Sequence, residues 1–164
     1  MRRLAAVFLV FALTACGGPV VPEADREANT ATPEPSRAEL TNTSLTCDSG
    51  ELDIGNLPSG VERAGTFARV KSLREQLKVK GVRWRRNDEE LLVAVVCGVH
   101  GAERFATLVS RSSLGAYHGK PALRWSTRGG LSNFMWLERP GTAVYIGATP
   151  GLARDIEKVA AGVG

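Results

Sequence analysis

Leu91-Leu92-Val93-Ala94-Val95-Val96-Cys97 is an unbroken aliphatic run that closes on a cysteine. Its shortness and its β-branched residues read as a strand buried on both faces rather than as a helix. Such a strand requires a sheet covered on both sides, or a very central position within one. Immediately upstream, Val82-Arg83-Trp84-Arg85 alternates apolar with basic, the two-residue period of a strand with one wet face. Between them Arg86-Asn87-Asp88-Glu89 is polar throughout and supplies a turn.

Downstream, residues 122–127 and 131–139 read as strands separated by Arg128-Gly129-Gly130. Pro140-Gly141 then turns the chain into a further strand, residues 142–148, with Val144 and Ile146 on one face. These three segments predict a meander. A helix is predicted over residues 66–79, where Phe67, Val70, Leu73 and Leu77 recur at three- and four-residue steps. Ser59 and Glu62 offer a capping box for an earlier start, although Gly65 weakens a continuous helix. A second helix follows Thr149-Pro150, carries Leu152, Ile156, Val159 and Ala160 on one side, and ends at Gly162. Residues 102–112 are ambiguous and lean to helix. The expected fold class is therefore α+β: a mostly antiparallel sheet of about five strands with two or three helices.

The chain has 164 residues, 43% hydrophobic and 23% charged, which suffices for one domain with a true core and not for two sizeable ones. Collagen-like, low-complexity and multi-span membrane classes are excluded by the same numbers. Charge is unevenly spread. Residues 44–164 hold 17 bases against 12 acids, whereas residues 16–43 hold two bases against five acids.

Met1-Arg2-Arg3 followed by residues 4–13, LAAVFLVFAL, has the basic start and apolar centre of an export signal. Ten residues at 1.5 Å each span about half of a hydrocarbon core, so this is not a lasting transmembrane helix. The run ends in Leu13-Thr14-Ala15-Cys16, which resembles the lipobox of bacterial lipoproteins. That resemblance implies diacylglyceryl transfer to the Cys16 sulfur and cleavage after Ala15, leaving Cys16 as the first mature residue. Residues 1–15 are then the signal peptide, and the expected location is the extracytoplasmic face of the cell membrane. Residues 16–43, rich in Pro and Thr and poor in large apolar side chains, cannot repay their ordering entropy and read as a flexible tether. Residues 44–164 are expected to form a single globular domain.

Cys47 and Cys97 remain. An even pair in an exported chain favours a disulfide, two buried thiols being the alternative. Cys97-x-x-His100, with Glu103 and His118, resembles half a zinc site, but no second pair completes it. No catalytic or nucleotide-binding signature occurs, and no cofactor is expected. Tyr117-His118-Gly119-Lys120 gathers polar groups in a loop without assigning them roles.

The strongest local signal is basic: from Arg63 to Arg86 nine bases face Glu75 alone. Arg69, Lys71, Arg74, Lys78, Lys80, Arg83, Arg85 and Arg86 are the candidate anion contacts. A membrane-proximal basic face suits anionic lipid headgroups or an acidic envelope polymer, and a solvated face is the plainer alternative. Export argues against nucleic acid as the partner, and the sequence leaves any protein partner unknown. Trp125, Phe134 and Trp136 are either an aromatic platform or, more commonly, core.

Overall fold

The computed structural model describes residues 43–48 and 50–164, all within the unit Pro35–Gly164. The expected signal peptide, Cys16 and all of the expected tether but Thr43 lie outside the described residues. Alternation organises the first hairpin: Leu45 and Cys47 on β1 (Thr43–Cys47) and Leu52 and Ile54 on β2 (Gly50–Ile54) are buried while their neighbours are exposed. Seven strands then build one antiparallel sheet: β3 (Glu62–Phe67), β4 (Lys78–Arg86), β5 (Glu89–Cys97), β6 (Ser113–Tyr117), β7 (Lys120–Ser126), β8 (Ser132–Arg139) and β9 (Thr142–Ala148). Their order in space is β3-β4-β5-β9-β8-β7-β6. After β5 the chain crosses to the far edge through α1 (Ala102–Thr107) and returns by β6, β7 and β8, so that β9 closes against β5.

The aliphatic run lies within β5, and Leu91, Val93, Ala94 and Val96 are fully buried. Its two sides feed two separate cores. On the first face Val82, Trp84, Val93, Phe134, Trp136 and Ile146 pack beneath the β1–β2 hairpin and α2 (Ile156–Ala160). On the second face Ala94, Val96, Leu123, Met135 and Tyr145 pack beneath residues 68–77 and α1, which contributes Phe105. The C-terminus is sewn to the hairpin, Asp53 and Gly164 exchanging backbone hydrogen bonds of 2.9 and 3.2 Å.

The expected α+β class is corrected to a predominantly β fold. Nine strands are present among the described residues, with helices of only six and five residues. The predicted helix over residues 66–79 does not form: Thr66 and Phe67 close β3, residues 68–77 are an irregular covering loop, and Lys78 opens β4. Its apolar spacing has a real cause, because Phe67, Val70, Leu73 and Leu77 all contact the second-face core. Burial of one side of a segment yields that spacing whether the backbone is helical or not. The segment 102–112 is helical only in its first half, and the helix after Pro150 begins as a 3-10 turn, Ala153–Asp155. The three-strand meander is present as β7, β8 and β9.

Cys47 and Cys97 form a disulfide with Cα atoms 5.6 Å apart, joining the end of β1 to the end of β5. The bond closes a separation of 50 residues, for which the chain-entropy account gives about 4 kcal/mol.

Candidate anion-binding cleft

Alternation along β4 decides where its bases go. Val82 and Trp84 turn into the first-face core, so Arg83 and Arg85 point to the second face. Arg85 stands opposite Glu90 on β5 and pairs with it at 2.6 Å. Arg83 stands opposite Leu92 and finds no such partner; its Nε is buried without a hydrogen bond.

Two loops meet over Arg83. Residues 68–77 bring Arg69 and Lys71, and the β7–β8 connection brings Arg128. Together they rim a cavity of about 560 Å³ whose apolar wall includes Val70, Leu92 and Leu131. At its base Tyr145 Oη donates to Asn133 Oδ1 at 2.7 Å, and Asn133 Nδ2 donates to the carbonyls of Trp125 and Leu131 at 3.2 and 2.7 Å. Burial drives the Tyr145 phenol far upward, which keeps it a neutral donor. No carboxylate lines the cavity.

The covering loop is pinned rather than loose. Arg104 of α1 reaches Glu75 at 2.5 Å, and the Arg74 amide donates to the Leu108 carbonyl at 2.9 Å. The Arg104 hydrogen bond holds the Glu75 carboxyl below its usual range. This clasp fixes the loop that carries Lys71 and Arg69.

The nine-base run therefore does not form one face. Lys78 pairs with Asp48 at 3.4 Å, Lys80 donates to Thr46 Oγ1 at 2.9 Å, and Arg86 donates to the Ser59 carbonyl at 3.2 Å. With Arg74 beside Glu75 and Arg85 on Glu90, only Arg69, Lys71 and Arg83 of the candidate contacts converge. Arg128, far along the sequence and part of a turn motif, joins them. No spacing rule pointed to it; only the sheet order does.

The remaining sequence candidates are placed elsewhere. Trp125 packs with Tyr145 on the second face, while Phe134 and Trp136 stack on the first, and all are at least 92% buried, so they are core on opposite sides of the sheet. Cys97 is consumed by its disulfide, which leaves His100 without the proposed sulfur neighbour. Among the described residues no group of three or more His, Cys, Asp or Glu side chains is placed to hold a metal. Tyr117 lies edge-on to His118 at 4.3 Å and against Phe134 and Trp136. Lys120 is tied to Glu138 at 2.6 Å, and the Trp136 indole donates to the other Glu138 oxygen at 2.8 Å. No protein-family profile, curated protein or solved structure matches this chain.

Proposed function

We propose that this chain is a lipoprotein of the bacterial cell envelope, anchored through Cys16, whose β domain captures an acidic envelope component in the second-face cleft. One observation carries the binding half of this reading. Arg69, Lys71, Arg83 and Arg128 surround a single cavity with no acid in its wall, while Lys78, Arg85, Arg104, Lys120 and Arg124 each hold a carboxylate. Cations gathered without a counter-charge raise the local positive potential, which an incoming anion relieves. The lipobox resemblance and the basic signal region support the anchoring half.

Each half has its own test. Residues 35–164, purified in the oxidised form, are sedimented with phosphatidylglycerol or phosphatidylcholine vesicles at low and high salt. Salt-sensitive capture by the anionic vesicles, reduced by Arg69→Ser, Lys71→Ser and Arg128→Ser together, supports the reading. Equal recovery with both vesicles, or an unaltered triple variant, removes the cleft from the function. For the anchor, the full chain and its Cys16→Ala form are expressed in a bacterium and fractionated; a variant that stays wholly with membranes removes the lipid attachment.

A further inference from the structure

The chemistry of the cavity base says more about the ligand than its charge does. A sugar or peptide carries many polar groups, and each one brought into a cavity without a partner is costly. The polar side chains at the base have already spent their hydrogens. The Tyr145 hydroxyl hydrogen goes to Asn133, and the two amide hydrogens of Asn133 go to the Trp125 and Leu131 carbonyls. Neither residue has a donor left for a ligand. The surrounding surface is mainly Phe67, Val70, Leu92 and Leu131, aliphatic or aromatic, with the hydroxyl side chains of Ser72 and Thr127 beside the basic residues. Arg69, Lys71 and Arg128 stand exposed on the rim, and Arg83 rises half-buried from the sheet beside Leu92, its Nε without a hydrogen-bond partner.

A cluster of cations next to a mainly apolar wall is complementary to a molecule with the same two halves. We infer that the cleft takes a single-chain anionic amphiphile, an alkyl chain seated on Leu92, Leu131 and Tyr145 with its phosphate or carboxylate held by Arg69, Lys71, Arg83 and Arg128. This inference rests on the anion-capture reading given above and narrows it from an acidic surface to an acidic molecule with an apolar tail. A cavity of about 560 Å³ lies within the ordinary size of small-ligand sites.

The test is a calorimetric series on oxidised residues 35–164, with each probe below its micelle concentration: methyl, hexyl, octyl and decyl phosphate, decanoate, and neutral octyl glucoside. Burial of methylenes makes affinity climb along the phosphate series, up to about fifteenfold for each two carbons until the cavity is filled. Octyl glucoside should bind at least tenfold more weakly than octyl phosphate. Whichever of decanoate and decyl phosphate binds more tightly names the head group. Leu131→Glu, which sets a carboxylate in the apolar wall, should abolish binding. The triple exchange of Arg69, Lys71 and Arg128 to Ser should cost at least tenfold while leaving the circular dichroism spectrum unchanged.

Failure takes distinguishable forms. Affinity that is flat from methyl to decyl phosphate overturns the amphiphile and leaves anion capture standing. Octyl glucoside equal to octyl phosphate overturns the role of charge, and with it both readings. No binding by any probe overturns the amphiphile, while vesicle capture decides the wider reading separately.

Discussion

The ring of Phe67 on β3 occupies the space that a side chain at Gly81 on β4 would need. The two residues are register partners, and a β-carbon built at Gly81 falls inside the ring's contact distance. Gly81 is thus a packing glycine, and the ring resting on it forms one wall of the cleft. Gly81→Ala is expected to push Phe67 outward and to cost about 1 to 3 kcal/mol, the usual range for overpacking. Urea unfolding checks the stability, and a weakened anion affinity in the same variant checks the wall.

Tyr145→Phe removes the hydrogen bond that Asn133 Oδ1 accepts from the phenol and leaves that oxygen buried. A loss of about 1 to 3 kcal/mol is expected at neutral pH. The variant also isolates a pH effect. Burial raises the Tyr145 pKa in the folded state, so its contribution is complete below the unfolded value of about 10 and is lost as pH rises beyond it. The native protein should therefore lose stability above about pH 10 more steeply than Tyr145→Phe, a comparison that denaturant titrations between pH 8 and pH 11 provide.

Glu138 supplies the acid counterpart. Burial pushes its carboxyl up, but the hydrogen bonds from Lys120 and the Trp136 indole outweigh that and hold it below 4.5. The sign follows: this contribution is present above the unfolded value and disappears as pH falls through the lower folded one. Because Trp136 is a direct partner, its fluorescence should change with a midpoint below pH 4.5, and Glu138→Gln should lack that transition. A midpoint at or above 4.5 would contradict the pairing.

Reduction tests the clasp between Cys47 and Cys97. Dithiothreitol, or the double exchange of both cysteines to Ala, should lower the unfolding free energy by about 2 to 4 kcal/mol. Alkylation of the native, unreduced domain should label neither sulfur.

Much of the sheet was legible because its central strands are nearly pure signal: the aliphatic β5, the alternating half of β4, and β7 to β9 with their Gly and Pro turns. The edges were not. β3, ERAGTF, buries almost nothing and keeps only Phe67 partly covered, so it carries no period to read. β6 is similarly exposed, with Leu114 at 63%. The β1–β2 hairpin carries a signal, Leu45 and Cys47 then Leu52 and Ile54 at steps of two, but two apolar positions in each five-residue strand are too few to define a period. The false helix shows the limit of periodicity, since a loop whose anchors Val70, Leu73 and Leu77 all face one core mimics a helical stripe. For the cleft, Arg69, Lys71 and Arg83 were among the residues that charge density selected. Which of nine bases lack a counter-ion depends on register, as Arg85 opposite Glu90 and Arg83 opposite Leu92 demonstrate.

The position of the disulfide bears on mechanical load. For a domain tethered from its N-terminal side, tension enters at Thr43 and meets the sulfur bridge four residues later, at Cys47. From there it passes covalently into Cys97, the last residue of β5, at the middle of the sheet and next to β9. Pulled from that side, the oxidised chain can give up only the five residues of β1 before the load reaches the centre of the sheet.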